Sequence, residues 1–180
     1  QDKTRFDYWE RTAFSEEQWF TLFYHAKDLN LTFLSSPFSF EAVDLLEKIG
    51  VPAWKVASGE LNNRPLINRL AKTKKPVFLS SGMSSWEELD LAVDTVKQQA
   101  SDVAVFQCTS SYPCPLEDVG MNILDEMYAR YKVPIGLSDH SGSIFPSIVA
   151  SARGASLIEA HLVFSRDSFG PDTSSSLTGE

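Results

Sequence analysis

The sequence predicts an α/β protein built on parallel strands, and two observations lead to that fold class. Six short apolar runs alternate with amphipathic segments, a pattern typical of repeated βα units. Each apolar run is followed directly by a small polar cluster, so the polar side chains collect at the carboxyl ends of the strands. This layout fits a (β/α)8 TIM barrel, and it is also compatible with an open, doubly wound sheet.

The positions of the predicted strands locate the candidate site residues at or after the strand ends. They cover residues 31–34, 54–57, 77–79, 103–106, 135–137 and 157–159. Six strands do not close an eight-stranded barrel, which typically takes about 250 residues. We therefore expect residues 1–180 to form either a single partial TIM-barrel domain that lacks its first two βα units, or an open sheet.

Helix start and stop signals separate the predicted strands. Ser15 with Gln18, and Ser85 with Glu88, match the capping box, in which two side chains satisfy free backbone N–H groups. Further helices are predicted to follow Ser39 and end at Gly50, to begin at Pro65, and to span about residues 122–131 and 145–153. The polar start of the chain and the Ser- and Gly-rich tail after His161 are predicted to be loops.

The bulk composition argues against several classes of protein. The formal net charge is −8 with a pI near 4.9, which argues against nucleic acid because a phosphate backbone needs a basic surface. No apolar run is long enough to cross a bilayer and no signal peptide is evident, so no membrane partner is expected. We expect Cys108 and Cys114 to be reduced thiols and the protein to be cytoplasmic.

Lys55 stands inside an otherwise apolar predicted strand, and a buried lysine is rare without a partner. One interpretation pairs it with Glu60 or Asp139, and the other makes it a ligand for a phosphate or carboxylate. Serines at the ends of five different strands favour the second, because their hydroxyls would ring one phosphate with hydrogen-bond donors. These serines are Ser36, Ser58, Ser80, Ser110 and Ser138.

His140 and His161 follow neighbouring predicted strands. Neutral imidazoles placed in this way can share one divalent metal ion, whereas a single histidine is more often structural. Two nitrogen ligands leave open positions for water or substrate, which suits catalysis. Glu159 lies on the same face as His161 and could be a further ligand or orient one. For Tyr112 and Asp172, on loops at the same end, an ordinary loop role is the simpler interpretation.

Seven segments together resemble the signatures of one enzyme family. Residues 55–66 (KVASGELNNRPL) are similar to its KIGSGE…NNxPL pattern, and residues 107–119 (QCTSSYPCPLEDV) to HCTxxYP followed by PxEDV. The remaining matches are residues 36–38 to TPF, 79–84 to LSTGM, 136–140 to G[LY]SDH, 158–161 to IExHF and 170–172 to GPD. The chain is identified on these motifs as a member of the N-acetylneuraminate (sialic acid) synthase and spore coat polysaccharide synthase family.

The resemblance implies a (β/α)8 barrel enzyme with a divalent metal ion, manganese in the first place and magnesium as the alternative. It implies a transferase that condenses phosphoenolpyruvate with an N-acetylhexosamine such as N-acetylmannosamine. Inorganic phosphate and a nine-carbon 2-keto acid would be the products. A homodimer is expected from the same resemblance.

Residue roles carry over by motif, as implications of the resemblance. His140 and His161 would bind the metal ion, Tyr112 and Asp172 would contact the acceptor sugar, and Glu60 would transfer a proton. Lys55, Glu60 and His140 are thus the candidate catalytic residues. The phosphoenolpyruvate ligands would be Lys55, Ser36, Ser58, Ser80, Ser110 and Ser138.

The chain also departs from the family pattern. Gln107 stands where the family often has His, and Ser110 where some members have Asn. The family's first two strands, which carry a Glu, a Lys and a Gln near the substrates, are missing here, as is its C-terminal antifreeze-like domain. Two alternatives stay open: a 3-deoxy-keto-acid synthase, whose phosphorylated acceptor calls for additional Arg or Lys, and a non-catalytic barrel fragment.

Overall fold

The computed structural model describes residues 3–99 and 101–179. Helices and strands alternate along this part of the chain after an initial run of helices. The helices are α1 (Arg5–Thr12), α2 (Glu16–Asp28), α3 (Phe40–Ile49), α4 (Arg64–Ala71), α5 (Trp86–Gln98), α6 (Met121–Tyr131) and α7 (Phe145–Ala152). The strands are β1 (Trp54–Val56), β2 (Val77–Ser80), β3 (Val103–Cys108), β4 (Ile135–Asp139), β5 (Leu157–Leu162) and β6 (Ser176–Leu177).

The six strands form one parallel sheet in chain order, β1 to β6. A doubly wound sheet reverses its strand order at a switch point and carries helices on both faces. Here the order never reverses, and helices α3 to α7 share one apolar core with alternate residues of the strands. The strand residues in that core are Trp54, Val56, Val77, Leu79, Val103, Val105, Ile135 and Leu137. The doubly wound alternative is therefore wrong for this chain.

The opposite face of the sheet carries the other set of alternating residues. Lys55, Phe78 and Phe106 lie on this inner face and border a cavity together with Leu157 and Glu159. The sheet thus forms a curled wall of a barrel, with helices outside and a polar cavity inside. Closure to eight strands, and the number of missing βα units, stay predictions.

Five of the six predicted strands are confirmed, and the first is wrong. Residues 31–34 form no strand, because no ladder hydrogen bonds link them to β1 in the described residues. Phe33 packs against α2, where its ring meets Trp19 and Phe23 edge to face with centroids 6.3 and 6.1 Å apart, whereas Leu31 and Leu34 are exposed. A short strand, β6, forms instead in the tail that was predicted to be a loop.

The predicted helix starts are confirmed at Ser15, Ser39 and Ser85, whose hydroxyls accept from the backbone N–H three residues later. Helix α1 was not predicted. Its sequence is too polar to show a buried face, although Thr4 and Asp7 form a capping box at its start. In the part of the chain that the structure describes, no helix has the length and apolar character needed to cross a membrane.

Asp90 on α5 joins that helix to α6. Arg130 Nε donates to Asp90 Oδ1 at 2.8 Å, and Tyr131 Oη donates to the same oxygen at 2.9 Å. The hydrogen bond from the Arg130 guanidinium holds the pKa of the Asp90 carboxyl below its usual value. The ion pair is 39% and 37% exposed, so solvent screens much of its energy.

We expect Asp90→Asn to lower the free energy of unfolding at neutral pH by about 0.5–1 kcal/mol. Because the folded-state pKa is depressed, this contribution is present above the unfolded pKa of about 4 and is lost as pH falls through the folded pKa. Denaturant unfolding at neutral and acidic pH measures it. Asp125→Asn, which breaks the more exposed pair with Arg153, is the control and should cost less. A loss that persists undiminished in acid would contradict the assignment.

Candidate active site

One cavity of 520 Å³ lies at the carboxyl ends of the strands, on the inner face of the sheet. Nine of the predicted site residues line it: Ser36, Lys55, Ser58, Ser80, Ser110, Tyr112, Ser138, His140 and His161. Gly59, Met83, Cys108, Asp139 and Glu159 line it as well. The strand ends therefore bring nearly all the predicted chemistry to one place.

Strand register explains this convergence. Cys108 pairs with Ser138 across β3 and β4, and Ser138 pairs with Glu159 across β4 and β5. Lateral partners in a sheet point to the same face, so these three side chains form a row on the inner wall. His140 and His161 each lie two residues further along and form the next row, at the rim.

Lys55 is held in place inside the cavity. Its Nζ donates to Ser80 Oγ at 2.7 Å and lies 3.2 Å from Glu159 Oε1, with the lysine side chain only 13% exposed. The ammonium also lies 5.5 Å from the centre of the Phe106 ring. Three favourable contacts thus hold the ammonium in place at the strand ends.

The interpretation that paired Lys55 with Glu60 or Asp139 is wrong about the partner. Glu60 lies in a short 3-10 helix (Ser58–Glu60), and its Oε2 accepts from Asn63 Nδ2 at 2.8 Å. The Asp139 carboxylate accepts from Ser141, at 3.1 Å from the backbone N–H and 2.9 Å from the hydroxyl. Both carboxylates are bound to their own loops, whereas Glu159 faces Lys55 across the inner wall.

Glu159 binds two groups at once. Ser138 Oγ donates to the same Oε1 atom that pairs with Lys55, at 2.8 Å. The carboxylate therefore links a predicted phosphate ligand on β4 with the lysine on β1. Its side chain is 41% exposed, so its other oxygen remains open to the cavity.

The two histidines meet at the rim. His140 Nδ1 and His161 Nε2 lie 2.9 Å apart. Two nitrogens bound to one metal ion at about 2.1 Å each would lie about 3 Å apart, so the pair fits a shared ion. Among residues 3–99 and 101–179, no group of three or more His, Cys, Asp or Glu side chains is arranged to hold a metal. In the described part of the chain, the histidine pair thus supplies two nitrogens for such an ion.

The other nitrogen of His140 contacts two polar side chains. Nε2 lies 3.1 Å from the Tyr112 hydroxyl and 3.4 Å from Cys108 Sγ. For Nδ1 to bind a metal, Nε2 would have to carry the ring proton, and it would then donate to one of these groups. Burial, and then the neighbouring His161, lower the pKa of His140, which favours the neutral imidazole that a metal requires.

Tyr112 stacks on His140 because the loop after β3 is fastened to the end of β4. The Cys114 backbone N–H donates to the His140 carbonyl at 2.9 Å, and the Tyr112 and His140 rings lie 4.2 Å apart. Burial raises the pKa of the Tyr112 phenol, so it remains a hydroxyl that can donate at neutral pH. Tyr112 therefore lies at the same end of the sheet as the histidine pair, as predicted, and its hydroxyl reaches His140.

Two predicted site residues do not line the cavity. Glu60 is turned to Asn63, as described above, and Asp172 lies on the loop before the 3-10 helix Thr173–Ser175. The Asp172 carbonyl accepts from Ser176 Oγ at 2.7 Å. Their proposed roles in proton transfer and sugar binding stay predictions.

Sequence reasoning missed Cys108, Met83 and Asp139 as cavity-lining residues. Cys108 had a signal, since it precedes Ser110 by two residues on the same side of β3. Met83 belongs to residues 79–84, which resemble the LSTGM motif, so the resemblance was its signal; its residue type and spacing alone gave none.

Comparison with known proteins gives related enzymes. The chain is 35% identical, over 87% of its length, to the N,N'-diacetyllegionaminic acid synthase of Campylobacter jejuni, and covers 48% of that protein. It is 34% identical to the human N-acetylneuraminate-9-phosphate synthase, over 97% of this chain and 49% of that protein. The chain thus spans about half the length of the curated relatives it matches.

A solved structure agrees with the sequence matches. The N-acetylneuraminic acid synthetase of Leptospira borgpetersenii superimposes with a TM-score of 0.89 at 32% identity, over 92% of this chain and 58% of that one. The model of the NeuB family matches residues 1–180. On this match over its whole length, the chain belongs to the NeuB family.

Proposed function

We propose that the protein condenses phosphoenolpyruvate with an N-acylated amino sugar, forming a 2-keto sugar acid and inorganic phosphate. The observation that carries the proposal is that Lys55, the serine hydroxyls and the two imidazoles all face one cavity. The names of the relatives, an N,N'-diacetyllegionaminic acid synthase and an N-acetylneuraminate-9-phosphate synthase, support the same class of reaction.

The phosphate of phosphoenolpyruvate would bind at Lys55. A charge-assisted hydrogen bond from the ammonium is stronger than a neutral one, and hydroxyls can supply the remaining donors. Ser80 Oγ already lies 2.7 Å from the ammonium, and Ser36, Ser58, Ser110 and Ser138 line the same cavity. Glu159 would keep the ammonium oriented until the phosphate arrives.

His140 and His161 would hold the divalent metal ion, manganese or alternatively magnesium, which would supply polarisation of the sugar aldehyde. In the overall reaction C3 of phosphoenolpyruvate bonds to the aldehyde carbon, water enters and inorganic phosphate leaves. Tyr112, stacked on His140, would orient the sugar through its hydroxyl. Glu60 and Asp172 remain proposed for proton transfer and sugar binding, from positions outside the lining of the cavity.

Charge balance supports the metal. The described lining carries one cation, Lys55, and two carboxylates, Asp139 and Glu159. With neutral histidines its net charge is −1, which opposes a ligand that carries both a phosphate and a carboxylate. A divalent cation at the histidine pair would reverse the sign and make the cavity attractive to phosphoenolpyruvate.

The same lining favours an acceptor without a phosphate group. Lys55 is the only Lys or Arg that borders the cavity among the described residues, and phosphoenolpyruvate would engage it. A phosphorylated acceptor, as used by 3-deoxy-keto-acid synthases, would need a second cationic site. We therefore favour the N-acylated amino sugar over that alternative.

The proposal is tested by phosphate release from the protein as its gene encodes it. With manganese and phosphoenolpyruvate, release should require an N-acetylhexosamine such as N-acetylmannosamine. Arabinose 5-phosphate and erythrose 4-phosphate, added in parallel, should give little release. Equal release with and without any amino sugar would overturn the proposal.

Gly82 allows the serine hydroxyls to approach the backbone. A Cβ at this position would overlap Ser110 Oγ and lie 2.6 Å from Ser58 Oγ. We expect Gly82→Ala to turn both hydroxyls away and weaken phosphoenolpyruvate binding by about tenfold or more, measured by calorimetry. Gly59→Ala is the matched control, because its Cβ would make only an ordinary 3.8 Å contact with Met83. Equal losses in the two variants would argue against a phosphate site at these serines.

The histidine pair should make phosphoenolpyruvate binding depend on metal. We expect chelation to weaken binding, and His140→Ala or His161→Ala to make binding insensitive to added manganese. The reason is that a divalent cation at the histidine pair would change the net charge of the cavity lining from negative to positive. His25→Ala, on the exposed surface of α2, uses the chain's third histidine as a control and should keep the manganese dependence. Full manganese dependence in both rim variants would refute the assignment.

A further inference from the structure

The inner wall of the sheet carries one further row of side chains below the candidate active site. The strand register aligns Ser80 with Phe106, Phe106 with Gly136, and Gly136 with Leu157. This row lies one step nearer the amino ends of the strands than the row that contains Glu159. Of its four members, only the serine belongs to the proposed phosphate site, which leaves the aromatic ring to be explained.

The ammonium of Lys55 lies over the ring of Phe106. The Nζ atom is 5.5 Å from the ring centre, within the range over which the negative face of an aromatic ring attracts a cation. Phe106 is 4% exposed and the lysine side chain 13% exposed, so water screens this attraction little. Both exposures are small in the described residues alone, and any additional chain could only lower them.

Neighbours on both sides fix the position of the ring. On β2, Phe78 meets it edge to face, with the ring centres 6.2 Å apart. On β4, a Cβ on Gly136 would stand 2.9 Å from Phe106 Cδ1 and 2.7 Å from the Leu157 carbonyl oxygen. Gly136 has no positive φ that would call for glycine, so close approach by its neighbours is the reason for a glycine inside this strand. The ring is therefore held under the ammonium.

The ring and the proposed phosphate lie on different sides of the ammonium. Lys55 lines both the 520 Å³ cavity at the strand ends and the deeper cavity on the inner face, whereas Phe106 lines only the deeper one. Glu159, which pairs with the ammonium, also lines both cavities. A phosphate that enters from the strand ends would thus replace the carboxylate and leave the ring contact in place.

We propose that Phe106 is a positioning residue for phosphoenolpyruvate, because its ring holds the Lys55 ammonium where the phosphate would meet it. This inference rests on the proposed function, since it assigns a further group to the same phosphate site. A lysine side chain has four rotatable bonds, and ordering it before the ligand arrives removes part of the entropy cost of binding. The ring carries no net charge, so it holds the ammonium without repelling the phosphate.

The test weakens the attraction of the ring for a cation while its shape stays nearly constant. In the protein as its gene encodes it, Phe106 is replaced by 4-fluoro-, 3,5-difluoro- and 3,4,5-trifluorophenylalanine, because each fluorine withdraws electron density from the ring face. Calorimetry in the presence of manganese should show phosphoenolpyruvate binding weaken in that order. We expect a loss of about threefold to tenfold for the trifluoro variant and for Phe106→Leu. Tm should stay constant across the fluorinated series.

Phe78 is the matched control. It lies on the same inner face, packs against Phe106 and stands over no cation in the part of the chain that the structure describes. The same three fluorinated residues at position 78 should leave the affinity for phosphoenolpyruvate unchanged. Phe78→Leu should weaken binding less than Phe106→Leu does.

The outcomes separate two kinds of failure. No binding of phosphoenolpyruvate by the wild-type protein with manganese present would sink the proposed function itself. Wild-type binding that persists at equal strength in every fluorinated Phe106 variant, or that weakens equally with fluorine at either position, would overturn the role of Phe106 alone. A loss of affinity that follows Tm instead of the number of fluorines would do the same.

Discussion

The packing of helices α3 to α7 on a single face of the sheet is the constraint on which the candidate site depends. Alternate strand residues such as Val56 and Leu79 enter the helix-covered core and are almost fully buried. The residues between them must then face the inside of the curled sheet. Because all strands run in the same direction, the polar groups at their carboxyl ends meet at one rim. The direction of the strands and the alternation of their side chains thus suffice to bring Lys55, the serines and the histidines together.

The inner face pairs charged groups whose burial would cost free energy if each stood without a partner. A lysine with 13% exposure needs a partner, and Glu159 provides one at 3.2 Å while also accepting from Ser138. In the proposed function, an incoming phosphate would replace a carboxylate that is already bound to Lys55, so the ammonium would keep a partner throughout. The histidine pair lies one row further out, where solvent and substrate can reach it. The Lys55–Glu159 pair and the histidine pair are therefore adjacent and remain distinct.

Much of the fold and of the candidate site could be predicted from the sequence, because the local sequence signals agree with the fold. Hydroxyl caps such as Ser15 and Ser85, and polar residues that follow apolar runs, are short-range features. Residues 31–34 were misassigned because a short apolar run can resemble a strand without forming strand hydrogen bonds. Here Phe33 packs against α2, and Leu31 and Leu34 are exposed. The Lys55–Glu159 pair joins β1 with β5 across the sheet, and only the three-dimensional register reveals such a partner.

The turn after β2 shows why a site can need features that local preference disfavours. Gly82 has no Cβ, and this lets the chain pass against Ser58 and Ser110 at the cavity wall. To leave that tight approach, the next residue takes a positive φ, where glycine would be the ordinary choice. The chain has Met83 there instead, with its side chain lining the candidate active site. Ser58 and Ser110 belong to the proposed phosphate site, so the close approach would serve phosphate binding at the cost of a strained residue directly after it.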